Sequence, residues 1–168
     1  MPTIKLEHSI ITKIQKMNNI KHDKNIWDTW LPKIGCPVEK NNSENIEIEV
    51  FPDRPDLLSH ETMAKACRSF LGLKKESSEI KVNDGVNKLS IEQGMDNIRP
   101  IIVSAIVRGV STGDSLDEKE KFIQTLMDHQ EKLHLTLGRK RKFASIGVHD
   151  MNNIKGPFRY TKVTKDYK

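Results

Sequence analysis

The sequence is poor in cysteine, in long apolar runs and in the common phosphate- and metal-binding signatures. Each shortage excludes something. Two cysteines, Cys36 and Cys67, are too few for a disulfide framework. No stretch approaches the ~18 apolar residues that a spanning helix needs. The longest, Ile101-Ile102-Val103, breaks at Ser104 and resumes through Val107. With a mean hydropathy of −0.58, this excludes a helical membrane protein and predicts no membrane partner. The opening Met-Pro-Thr-Ile-Lys-Leu-Glu lacks the basic-then-apolar order of a secretory signal, so the expectation is a cytoplasmic protein with reduced thiols. The Asn41-Asn42-Ser43 sequon then reads as a chance match. P-loop, GxGxxG, CxxC and HExxH patterns are all missing.

What is present is charge, unevenly placed. The 168 residues carry a net charge of +5. From Lys132 onward there are ten basic and two acidic residues, whereas the first 131 residues hold 18 basic and 21 acidic ones. A one-sided positive field points to a polyanion partner, RNA foremost, or to a solvated basic surface.

Periodicity supplies the elements. Thr3–Glu7 reads as a strand, Ser9 as the N-cap of a helix carrying Ile10, Ile11, Ile14 and Met17, and Asp23 as the cap of a second helix. That second helix buries Ile26, Trp27, Trp30 and Leu31 and ends at Pro32 and Gly35. Ile46, Ile48 and Val50 alternate with Glu47 and Glu49 as a half-buried strand. Ser59 opens a helix with Met63, Cys67, Phe70 and Leu71 on one face, closed by Gly72. Lys74–Asn87, polar and containing Asp84-Gly85, reads as a linker or hairpin edge, so a boundary is set there, giving domains 1–84 and 85–168. Ile101–Val110 reads as a strand covered on both faces. Asp117–Leu137 is the longest helical pattern, with Phe122, Ile123, Leu126, Met127, Leu133 and Leu137 expected against the Ile101–Val107 strand. Phe143–Val148 reads as a further strand and Lys155-Gly156-Pro157 as a turn. Strands and helices without strict alternation indicate an α+β class.

Few residues carry chemistry by pattern alone. His149-Asp150 reads as a turn, or as a metal or acid/base pair. His134, on the apolar face of the long helix, reads as a hydrogen-bonded core histidine or a site residue. Arg139-Lys140-Arg141-Lys142 reads either as a phosphate contact or as a cap at the negative end of that helix. Asp53 and Arg54, between two prolines, read as a rigid structural loop with a buried ion pair.

Several segments together resemble a known family. They are Met1-Pro2-Thr3; Glu49-Val50-Phe51-Pro52-Asp53-Arg54-Pro55-Asp56-Leu57-Leu58; Ile98-Arg99-Pro100; Gln130-Glu131-Lys132-Leu133-His134; Arg139-Lys140-Arg141; Ile146-Gly147-Val148-His149-Asp150; and Gly156-Pro157-Phe158-Arg159-Tyr160. In this order and spacing the chain resembles the N-terminal part of the phenylalanine–tRNA ligase β subunit of the archaeal and eukaryotic cytosolic type. The resemblance implies a small N-terminal α/β domain followed by the beginning of a mixed α+β tRNA-editing domain. Family β subunits are several times longer. It further implies an α-subunit partner in a complex of two α and two β chains, with tRNA as a second partner. ATP, magnesium and the synthetic chemistry belong to the whole enzyme, with no cofactor, metal or catalytic residue in this segment.

The β subunit would contribute assembly, tRNA binding and hydrolysis of mischarged tyrosyl-tRNA. A pocket built for phenylalanine cannot strongly reject a ring that merely adds a hydroxyl, which is why a second, hydrolytic site raises fidelity. Gln130, Glu131 and His134 are the editing-pocket candidates, and Arg139, Lys140, Arg141 and Lys142 the tRNA-binding candidates. The alternative is a free-standing tRNA-binding or trans-editing module descended from that subunit. A purely structural domain holding the α subunit is a further rival.

Overall fold

Alternating apolar and charged residues build a three-stranded antiparallel sheet from β1 (Thr3–Glu7), β2 (Val38–Asn41) and β3 (Asn45–Glu49), in the order β1-β3-β2. A computed structural model describes residues 3–75 and 80–167. The register sets Ile4 opposite Ile48 and Leu6 opposite Ile46, which puts all four on one face, each at most 1% exposed. The β2–β3 turn is held by the Asn42 Oδ1, which accepts the N–H groups of Glu44 and Asn45.

Helices α1 (His8–Lys16), α2 (Lys24–Ile34) and α3 (His60–Phe70) close over that face. Ile11, Trp27, Leu31, Leu57, Leu58, Met63 and Ala64 fill the core with Val50, Cys36 and Cys67. Most local signals act as the sequence predicts, although Pro32 lies inside α2 rather than ending it. The Asp23 carboxylate accepts the Asn25 N–H, Gly35 ends α2 at φ +91°, and Ser59 forms a capping box with Thr62. Ser9 does not cap α1: β1 runs directly into the helix, and Glu7 holds the cap position. Ile26 and Phe70, expected inside, are 43% and 47% exposed. Trp30 packs edge-on against Phe70 with Lys33 over its ring. Both cysteines are free, and burial pushes the Cys67 thiol up to about 12, which leaves it inert. The Arg54 guanidinium grips Asp56 rather than Asp53, and the pair lies at the surface rather than buried.

The long helix, α4, spans Leu116–Leu135 and opens with a capping box of Ser115 and Glu118. It joins the N-terminal sheet rather than the Ile101–Val107 segment. Lys13 pairs with Glu118 and Lys121 with Glu7, while Leu133 packs on the core. Surface pairs of this kind contribute little, about 0–1 kcal/mol each. Leu126 and Phe122 are only half-buried, and Ile123, Met127 and Leu137 are exposed. By contacts the chain therefore divides into residues 1–78 with 112–146, and 79–111 with 147–168. The sequence reading places its single cut at 84/85, whereas the contact division interleaves the two units. Residues 76–79 lie outside the described part.

In the second unit, β4 (Leu89–Ile91) pairs in parallel with β5 (Phe158–Tyr160). The predicted strands at Ile101–Val110 and Phe143–Val148 do not form among the described residues. Ile101, Val103 and Val107 are 82%, 89% and 75% exposed. A strand meant for burial on both faces needs neighbours on its edges and layers on its faces, and a two-stranded ladder three residues long supplies neither. No described helix is long and apolar enough to cross a membrane.

Under the sheet's edge sits a histidine pair that periodicity does not reveal. His8 is 7% exposed, its Nε2 donating to Asn41 Oδ1 at 3.0 Å and its Nδ1 accepting from His22 Nε2 at 2.9 Å. This chain leaves His22 Nδ1 unprotonated and buried without a partner, against the Trp27 ring. Burial first, and His8 second, lower the His22 pKa to about 4.

Two measurements test this architecture. Ile48→Ala should cost about 2–5 kcal/mol in urea unfolding, as a fully packed core site does, and Leu126→Ala clearly less; equal losses would mean α4 is as deeply seated as the sheet. Because the unfolded His22 binds protons more readily than the folded one, stability should decline as pH falls from about 6.5 toward 4. His22→Gln should lessen the decline between pH 6.5 and 4.5, leaving the part due to His60 and His129, whose pKa values burial also lowers; an unchanged profile would remove His22 as a source.

Candidate nucleic-acid interface

The basic run sits on a turn of unusual backbone. α4 ends at Thr136, and its last carbonyls are taken by backbone: Thr136 N–H donates to Lys132 O, Gly138 N–H to Leu133 O and Arg141 N–H to His134 O. The Thr136 hydroxyl also donates to Lys132 O. Backbone groups thus provide the cap that the sequence would assign to basic side chains. At Gly138 a Cβ would fall 2.5 Å from Ala144 O and 2.8 Å from His134 O, so only glycine fits. Arg139, Lys140 and Arg141 then follow with φ of 47°, 57° and 63°. Three consecutive L-residues in the left-handed region cost about 1–2 kcal/mol each. Surrounding bonds must therefore over-determine the turn.

The predicted site residues supply much of that restraint. His134, 3% exposed, accepts the Ile146 N–H at Nε2 at 2.8 Å, so its proton sits on Nδ1, 3.5 Å from Glu131 Oε2. Gln130 Nε2 donates to the Ile146 carbonyl. Glu131 accepts from both terminal guanidinium nitrogens of Arg141. Phe143 N–H closes the turn on Gly138 O at 3.0 Å. The three editing-pocket candidates are thus drawn together, each with at least one polar atom engaged by the turn, while His134 Nδ1 is buried without a hydrogen-bond partner among the described residues. Of the four basic candidates, Arg141 faces Glu131, Arg139 lies over the Phe143 ring at 5.4 Å, and Lys140 and Lys142 stand exposed. Phe143 is missed by sequence reasoning, which takes it as the first residue of a strand; an aromatic directly after four cations is the signal that could have found it.

Elsewhere in this unit a polar cavity of about 840 Å³ is lined by Lys5, Glu7, His60, Lys121, Asp128 and Lys132, among others. His60 accepts the Glu7 N–H at Nε2, and burial lowers its pKa and that of Lys132. The cavity carries both signs of charge, and the described residues contain no cluster of three metal-ligating side chains. In the second unit, Asp150 accepts from the Asn152 N–H and the Asn153 side chain, so His149-Asp150 opens a turn.

No family profile matches the chain. It is 40% identical over its whole length to the phenylalanine–tRNA ligase beta subunit of Methanosarcina barkeri, covering 29% of that protein. It is 38% identical over 99% of its length to the same subunit of Methanococcoides burtonii, again covering 29%. Among solved structures it is similar to an N-terminal fragment of the phenylalanyl-tRNA synthetase beta subunit from Pyrococcus horikoshii. There the TM-score is 0.78 at 25% identity, over 95% of this chain and 45% of the fragment. The chain spans less than a third of the length of these curated relatives. With its α+β fold in agreement, the chain is similar over its full length to the N-terminal part of the phenylalanine–tRNA ligase beta subunits.

Proposed function

We propose that the chain serves a cytoplasmic phenylalanine–tRNA ligase, one that joins phenylalanine to its tRNA with ATP and magnesium in a complex of two α and two β chains. The similarity over all 168 residues to the M. barkeri subunit carries this reading. The chain has no glycine-rich phosphate loop, so ATP chemistry is assigned to the α partner. Residues 85–168 are read as the opening of the tRNA-editing domain. The bare apolar run at 101–110 and the short β4–β5 ladder support this, because both suit a sheet that further strands complete.

Within the turn, Lys140 and Lys142 are assigned to tRNA phosphates, and Arg139 to the Phe143 ring. Gln130, Glu131, His134 and Arg141 act as positioning residues that hold the turn. A role for the first three in editing would require them to release it.

If Lys140 and Lys142 each neutralise a phosphate, the Lys140→Glu, Lys142→Glu variant should bind tRNA with a salt slope about 1.5 shallower than wild type. Equal slopes, with folding verified, would refute phosphate contact there. Phenylalanine-dependent ATP–pyrophosphate exchange should be absent from the purified chain and appear only when an α subunit is co-expressed with a complete β chain. Exchange by the chain alone would overturn the division of labour.

A further inference from the structure

We infer that the turn from Gly138 to Phe143 is a stacking platform for an unpaired nucleotide, the base lying on the Phe143 ring and the flanking phosphates on Lys140 and Lys142. This rests on the RNA-contact reading above and goes past it, from charge to the kind of nucleotide recognised.

Three observations converge. The Phe143 ring is 70% exposed at the end of the run of cations. Single exposed aromatics are ordinary on protein surfaces. This one, however, has a guanidinium, that of Arg139, within cation–π range of its face. An aromatic ring beside a guanidinium is a combination on which bases stack in sequence-tolerant single-strand binding. Second, the backbone that carries the ring is held in place. The ring's backbone N–H is bonded to Gly138 O, Lys142 N–H to Arg139 O, and residue 146 is clamped by Gln130 and His134. A backbone already held in place spares a ligand the cost of ordering the loop. Third, the backbone holds Arg139, Lys140 and Arg141 in the left-handed region, where residues of this type rarely sit. One of those cations, Arg141, is paired with Glu131, while Lys140 and Lys142 are exposed within two or three residues of Phe143 in the same turn.

The partner's form follows from access. In an A-form duplex the bases are stacked on one another and the major groove is too deep and narrow for side chains to read. A phenyl ring meets a base face only where the strand is unpaired, as in a loop or at an end.

The test compares two fluorescent 12-mers with the same number of phosphates, oligoadenylate and its abasic analogue, by anisotropy with the full chain. Wild type should favour oligoadenylate about 5- to 150-fold, the range for stacking one base. Phe143→Leu should abolish the preference while leaving the salt slope unchanged, and Phe143→Tyr should keep it. Equal affinity of wild type for the two 12-mers, a comparison that needs no variant to fold, overturns the stacking platform and leaves phosphate contact standing. A preference that survives in a folded Phe143→Leu variant overturns it as well. Binding of neither 12-mer, with tRNA also unbound, removes both readings together.

Discussion

The pairing of β1 on β3 is the constraint on which the N-terminal unit depends. Five residues on each strand place Ile4, Leu6, Ile46 and Ile48 on one face, and a slip of β1 by one position would turn Ile4 and Leu6 to the other face. Everything else in the unit is arranged to cover that face: α1 follows β1 without a loop, α2 and α3 bring Leu31, Trp27, Met63 and Ala64, and Leu133 of α4 reaches the same core. Strands this short are marginal by themselves, so the sheet and its helices stabilise one another as a single cooperative body. Even its buried polar groups serve the covering helices. Gln15 on α1 accepts from Arg68 on α3 and donates to the Ala64 carbonyl, which ties the two helices across the core.

How far the sequence spoke depended on whether the information was local. Alternation at Ile46–Val50, the Asp23 and Ser59 caps and the Gly35 stop are each decided within a few residues, and each is found in place. Ile101–Val110 has the composition of a buried strand, but composition states only what a segment needs, and in the described residues no neighbour meets that need. α4 was legible as a helix and illegible in its placement. Its periodic face is compatible with any apolar surface, and its seat is chosen by Lys13, Glu7 and the core around Leu133, more than a hundred residues away in two of those cases.

The site shows the same division. Gln130, Glu131, His134 and the basic run were picked out together by sequence, and the structure does bring them together, although in a relation no pattern expresses. The helix residues grip residues 141 and 146, and the turn between bends left-handed. A left-handed run of Arg-Lys-Arg has no propensity signal, since each residue separately favours the opposite hand. It exists because Gly138 lets the chain pass within contact of His134 and because the clamp holds the far end. Charge counts alone would treat the four cations as equivalent, whereas the geometry gives two to structure and aromatic contact and leaves two facing outward.

The division of the chain into interleaved units has a consequence for its birth. A ribosome adds roughly 5–20 residues each second. Glu7 and Lys13 are separated from Lys121 and Glu118 by 114 and 105 residues, so on the order of 5–20 s of synthesis intervene before their partners exist. The sheet and its first three helices can close early, from contacts within the first seventy residues. Throughout that interval the seat for Leu133 stays unfilled, and the whole of residues 79–111 is synthesised before its occupant.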